Sequence, residues 1–209
     1  MSTTGAVLTK ECLKKRLSIH GDLVISPILE PDLQIGDGSV DIRLGTHFVM
    51  SQRSQMTEID PLDLTVEKLR KFHHAVVVSF EERFMLHPGS FCLGCTFEFI
   101  ALPTDISGFV LSRSNYGRAG LLIATATYVH PGWHGCLTLE LENLGEVPIA
   151  LWPGSRVGQL VLMQAERISE KPKLKSIPIA PSFSSLAENE KWNKLRGQSV
   201  SHFASLSPK

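Results

Sequence analysis

The chain has 209 residues, and its 21 Lys and Arg are matched by 21 Asp and Glu, with 43% hydrophobic side chains. That length suits one domain, or one domain with a tail, built around a single sizeable core. A zero formal charge offers neither the basic footprint of a nucleic-acid binder nor an acidic solvating tail, so an anionic ligand has to be held by local groups. No apolar run reaches the length that spans a bilayer, and Met1-Ser-Thr-Thr-Gly-Ala6 lacks a basic region followed by an apolar stretch. The expectation is a cytoplasmic protein with no membrane partner.

In chain order, Leu8 to Leu17 reads as one amphipathic helix with a basic Lys14-Lys15-Arg16 group, a cap for the rest of the fold. From Gly38 to about Gln164, short alternating segments are separated by Gly, Pro and Asp turns, which predicts an all-β body. Ser39 to Gly45 alternates strictly, with Val40, Ile42 and Leu44 on one face. Strands are expected over Ala75 to Phe80 and Phe91 to Ile100, with His87-Pro-Gly89 as a turn, then over Leu121 to Val129, Cys136 to Glu142 and Val157 to Met163. After Glu166 the composition changes. Lys171-Pro-Lys-Leu-Lys-Ser-Ile-Pro178 reads as an extended arm, and Ala187 to Leu195 as a short helix, dividing the chain into a β domain over 1–166 and a C-terminal arm over 167–209.

Cys12, Cys92, Cys95 and Cys136 are too scattered for a disulfide framework, so reduced thiols are expected. Cys92 and Cys95 have the spacing of a metal pair, but on a strand residues three apart face opposite sides, and no second close Cys or His pair completes four ligands.

Three stretches carry residues suited to chemistry. If Arg113-Ser-Asn-Tyr-Gly-Arg-Ala-Gly120 turns into a helix after Leu111, Ser114 and Arg118 share a face and Arg113 stands at its start; this is a seat for phosphate or a plain amphipathic turn. In Cys136 to Glu142 the alternation places Leu137, Leu139 and Leu141 on one side and Thr138, Glu140 and Glu142 on the other. Two glutamates on one face are a solvated strand surface unless a pocket with a serine and an arginine adjoins them. Pro148 to Leu160 reads as architecture, with Pro153-Gly154 as a turn and Gly158 permitting close backbone approach.

Together, Gly38-Ser-Val-Asp-Ile-Arg-Leu-Gly45, His87-Pro-Gly89, Leu102-Pro103, Arg113-Ser114 with Arg118 and Gly120, Pro131-Gly-Trp133 with Thr138-Leu-Glu-Leu141, and Pro153-Gly154 through Gln159-Leu160 resemble the dCTP deaminase branch of the dUTPase-like superfamily in order and spacing. The resemblance implies a distorted β-barrel or jelly-roll body with a few short helices, assembled as a homotrimer with active sites at subunit interfaces. It implies that Glu140, Ser114 and Arg118 are catalytic. Arg113, Asn115, Thr125, Ala126, His130 and the C-terminal Lys191 would contact a cytosine deoxynucleoside triphosphate that carries its own Mg2+. The zinc-dependent deaminase signature of His-x-Glu followed by Pro-Cys-x-x-Cys is missing, so the expected chemistry uses no zinc.

The reaction this implies is dCTP plus water to dUTP plus ammonia. Water attacks C4, N3 gains a proton and the amino group leaves, which requires one group that first accepts and later donates protons. A glutamate with a raised pKa can do both. His130 stands where the family usually has aspartate before Pro-Gly-Trp, Leu195 where a glutamine is often found, and Tyr128 where some relatives have a polar or basic residue. The aspartate activates water for pyrophosphate cleavage in dUTPases and bifunctional relatives, so its replacement weighs against a second reading, a triphosphate pyrophosphatase or a bifunctional enzyme taking dCTP to dUMP. A third reading is a trimeric nucleotide sensor without turnover.

Overall fold

Leu139 and Leu141 are fully buried while Thr138, Glu140 and Glu142 are only half-buried, the two-residue period that one face of a packed sheet requires. The computed structural model describes residues 7–18, 21–51, 58–60, 71–123 and 128–166. It begins with helix α1 (Lys10–Arg16), whose N-cap Thr9 accepts from the Cys12 N–H and whose last turn carries Lys14, Lys15 and Arg16 against the negative end of the helix dipole. Leu13 is its fully buried anchor. Arg16 ties the helix to the body through Asp22 at 2.6 Å and Asp105 at 2.8 Å.

The strands are, in order, β1 (Val24–Ser26), β2 (Ser39–Arg43), β3 (His47–Ser51), β4 (His73–Val77), β5 (Phe84–Leu86), β6 (Phe91–Cys95), β7 (Phe99–Ala101), β8 (Ile106–Ser112), β9 (Leu121–Ile123), β10 (Tyr128–Val129), β11 (His134–Gly135), β12 (Thr138–Asn143), β13 (Ile149–Leu151) and β14 (Arg156–Gln164). Two short helices interrupt them, α2 (Pro31–Gln34) and α3 (Ser114–Arg118). The strands pair in the orders β10-β8-β14-β2, β4-β3-β6-β12-β9, β1-β7-β11 and β13-β5, antiparallel throughout. Leu160 and Leu162 of β14, Ile42 of β2, Phe48 of β3 and Leu139 and Leu141 of β12 belong to one core. Phe48 and Phe84 stack with ring centroids 4.4 Å apart. Full burial of each such side chain stabilises by roughly 1.5–3 kcal/mol.

The expected β-barrel or jelly-roll body is not what forms. None of the four sheets closes on itself among the described residues. The expected single strand over Phe91 to Ile100 shows why, because it is two strands in two different sheets. β6 pairs with β12 and β3, and β7 pairs with β1 and β11. Between them Thr96 and Glu98 are buried polar residues, and their side chains take over where the ladder stops. Thr96 Oγ1 donates to the Glu98 carbonyl and accepts from the Leu137 N–H. Glu98 accepts from the Arg43 backbone N–H at 2.8 Å and from Gln34 Nε2 at 3.0 Å. A chain that turns a corner by satisfying its backbone with side chains passes to another sheet instead of continuing the first ladder.

Other expected boundaries also shift. β4 starts at His73 and ends at Val77, and just past its end the Val78 N–H still donates to the carbonyl of Thr46, the residue opposite it in the β3–β4 register. The segment expected as one strand from Leu121 to Val129 begins as β9 and ends as β10, and residues 124–127 lie outside the described residues, as do residues 167–209 of the expected arm. The turn at His87-Pro-Gly89 forms as expected, with Gly89 at φ +67°.

Candidate active site

The inward leucines of β12 turn Glu140 and Thr138 toward a cleft of about 250 Å³. Tyr128 and His130 enter from the end of β10, Trp133 from the turn before β11, and Val110, Val129 and Leu137 form an apolar floor. Tyr128 and His130 meet edge to face at 4.7 Å, and Tyr128 also leans on Phe109 at 5.3 Å. The two rings therefore form one wall of the cleft. The Trp133 indole N–H is buried without an acceptor among the described residues, a cost of about 1–3 kcal/mol that ordinary core positions avoid.

Burial in this setting raises the pKa of Glu140 above its ordinary value. A carboxyl in this state holds its proton more readily, which suits a group that must both take and return one. Of the residues expected from sequence, the cleft thus unites Glu140 with His130.

It does not unite them with Ser114 and Arg118. Both sit on α3 with exposed side chains, and neither lines the cleft. The helix forms where the sequence predicts, with Arg113 as its N-cap residue in an extended conformation. Gly120, at φ +91°, then reverses the chain into β9. Asn115 is exposed on the same helix. A second, more open hollow of about 360 Å³ lies beside it, bounded by Gly117, Gly120, Leu121 and Leu122. Thr125, Ala126 and Lys191 lie outside the described residues.

Arg113 is turned toward the body, where its Nη1 donates to Asp41 of β2. Asp41 also accepts from Gln159 Nε2 and Arg156 Nη1, each at 3.2 Å. The stretch Pro148 to Leu160, expected as architecture, also brings Arg156 to Asp41, a buried carboxylate within a well-patterned strand. The signal available in sequence was a charged residue at the centre of an otherwise core-forming segment.

The thiols stand apart from this chemistry. Cys92 pairs across to the inward-facing Leu141 and Cys95 to Thr138, so their side chains point to opposite faces as the strand period predicts. Burial pushes Cys92 and Cys95 up to about 12 and Cys136 up to about 11, which keeps all three protonated at neutral pH. No helix among the described residues is long and apolar enough to cross a membrane.

Comparison with known proteins supplies the wider context. Residues 7–165 match the family model described as dCTP deaminase-like. A dCTP deaminase of Natronomonas pharaonis is 38% identical over 167 residues, covering 79% of this chain and 84% of the relative. A protein of Methanosphaera stadtmanae named dCTP deaminase, dUMP-forming, is 40% identical over 168 residues, covering 80% and 83%, and several further relatives carry that same name. Among solved structures, the 2'-deoxycytidine 5'-triphosphate deaminase of Agrobacterium tumefaciens superposes with a TM-score of 0.60 at 26% identity over 77% of this chain. The match spans about half the length of that bacterial chain, 49%.

Proposed function

The chain belongs to the dCTP deaminase-like family, and from that premise we propose that it hydrolyses the C4 amino group of a cytosine deoxynucleotide, dCTP first among them. The observation that carries this reading is Glu140, a half-buried carboxyl with a raised pKa facing a cleft walled by aromatic rings. Glu140 takes a proton from the attacking water and passes it to N3, then takes the second proton from the resulting C4 hydroxyl and passes it to the departing amino group. The C4–N bond breaks, C4 becomes a carbonyl and ammonia leaves. Ser114 and Arg118 orient the water and stabilise the developing charge, and one such preorganised donor is typically worth about 10²-fold to 10³-fold in rate.

Since Ser114 and Arg118 do not line the cleft of their own chain, the reading includes a homotrimer in which α3 of one copy completes the cleft of the next. Arg113 and Asn115 then meet the phosphates, Thr125 and Ala126 the base, and Lys191 of the arm the triphosphate. Magnesium arrives on the nucleotide. The ligands of that ion would be mainly phosphate oxygens.

The names of the relatives favour dUMP over the dUTP expected from sequence. Cleavage to the monophosphate needs a second base to activate water at the α-phosphate. A neutral imidazole accepts protons as well as a carboxylate does, so His130 can fill the role usually taken by aspartate. Chromatography of dCTP incubated with the protein and Mg2+ separates the readings. Uracil nucleotide with ammonia establishes the deaminase, dUMP with pyrophosphate the bifunctional form, and unchanged dCTP sinks the proposal.

A further inference from the structure

β14 carries a bulge that changes which way Arg156 points. Gln159 pairs with Asp41 and Gly158 with Ile42, but Arg156 pairs with Arg43, so Val157 is the extra residue. Without the bulge, Arg156 would share the inward face of Gly158 and Ile42. With it, Val157 is taken into the core, fully buried, and Arg156 turns to the face that holds Asp41.

On that face one carboxylate meets two guanidiniums. Asp41 is 6% exposed and accepts from Gln159 at 3.2 Å, from Arg156 at 3.2 Å and from Arg113. Arg156 gives one further hydrogen bond, to the Leu33 carbonyl at 3.1 Å. The Nε and Nη2 groups of both arginines have no acceptor among the described residues, and the side chains are 28% and 29% exposed. The nearby buried Glu98 is engaged with Arg43 and Gln34. Arg43 alongside is matched by Glu98 and by Glu30 at 2.7 Å, so the surplus positive charge belongs to Asp41's own pair of guanidiniums, which keep a fan of free N–H donors held in place from below by a buried carboxylate. An ion pair that merely joined β2 to β14 would need one arginine.

We propose that Arg156 is a second anion-binding arginine alongside Arg113, and that Asp41 is the positioning residue that holds the two guanidiniums as a pair. The ligand class is a polyphosphate, and identifying it as the nucleotide tail rests on the proposed function. Asp41 does not touch the anion. It removes rotamer freedom from both arginines before binding, so less entropy is lost when the phosphates arrive.

The test is titration calorimetry of the full-length protein with inorganic tripolyphosphate at low ionic strength, alongside dCTP kinetics. Arg156→Ala should weaken tripolyphosphate binding by roughly tenfold or more, the value of a charge-assisted hydrogen bond. The loss in dCTP turnover should fall mainly on KM, and Arg156→Lys should recover part of the affinity. Asp41→Asn should show the same KM-weighted loss. Because removing a buried carboxylate can prevent folding, the Arg156 pair decides the matter if that variant is insoluble. Wild-type tripolyphosphate affinity in folded Arg156→Ala, or no binding by the wild type, overturns the proposal; wild-type affinity in folded Asp41→Asn removes Asp41 from it. Tripolyphosphate binding that depends on Arg156 in a protein inert toward dCTP would keep the anion seat and reject the deaminase reading, while dCTP turnover indifferent to Arg156 would do the reverse.

Discussion

Glu140 and His130 face one cleft from two different sheets, the carboxyl from the middle of β12 and the imidazole from the residue after β10. Glu140→Gln should retain nucleotide binding and lose turnover by about 10²-fold or more, because the amide cannot shuttle a proton. The pH dependence follows from the raised Glu140 pKa. The base form exists only above that pKa, so the acid limb of kcat/KM should rise through a midpoint above the ordinary 4.5. A limb at or below that value would separate Glu140 from the proton transfer.

His130 is the residue on which the product should turn. His130→Ala should keep deamination and lower the yield of dUMP relative to dUTP, with chromatographic product ratios as the readout. An unchanged ratio would show that the base for diphosphate cleavage lies elsewhere.

The separation of Ser114 from the Glu140 cleft within one chain makes a complementation experiment decisive. Ser114→Ala and Glu140→Gln proteins, each nearly inactive alone, should recover activity when unfolded together and refolded as mixed oligomers, since some cleft–helix pairs then carry both native residues. A mixture no more active than its components would place the whole site within one chain.

Glu98 gives the fold a pH-dependent weakness. Its carboxyl is fully buried, and this desolvation pushes its pKa up to about 7 despite the Arg43 N–H and guanidinium beside it. The folded state thus binds a proton that the unfolded chain, with its ordinary value near 4.5, releases. That contribution to stability is complete below about pH 4.5 and is lost as pH rises through 7. Wild-type Tm should decline across this window relative to Glu98→Gln, which should be less stable overall by about 1–3 kcal/mol because its amide mismatches one donor. Parallel Tm profiles would contradict the assignment.

Gly120 fixes the exit from α3. At φ +91°, with the place of a Cβ only 2.8 Å from the Gly145 nitrogen, Gly120→Ala should cost about 1–3 kcal/mol from backbone strain alone, more with the clash, measured by urea denaturation. Activity should fall further than stability, since the same reversal sets where Ser114 and Arg118 stand.

Local period was enough to read much of this protein. Alternation over Thr138 to Glu142 told which side chains enter the core and which face Glu140 shares, whereas over Ser39 to Arg43 it placed Val40 and Ile42 in the core without showing that Asp41 and Arg43 are buried as well; the position of α3 needed only helical spacing. Other features depend on partners far along the chain. The strand expected from Phe91 to Ile100 breaks because Glu98 finds Arg43 and Gln34, and no single-strand pattern encodes that meeting. Arg156 reaches Asp41 only because β14 bulges against β2, which reverses the face that simple alternation assigns to it. Periodicity is a property of one segment, whereas a bulge, a corner and a shared cleft are properties of pairs of segments, so only the tertiary structure decided them.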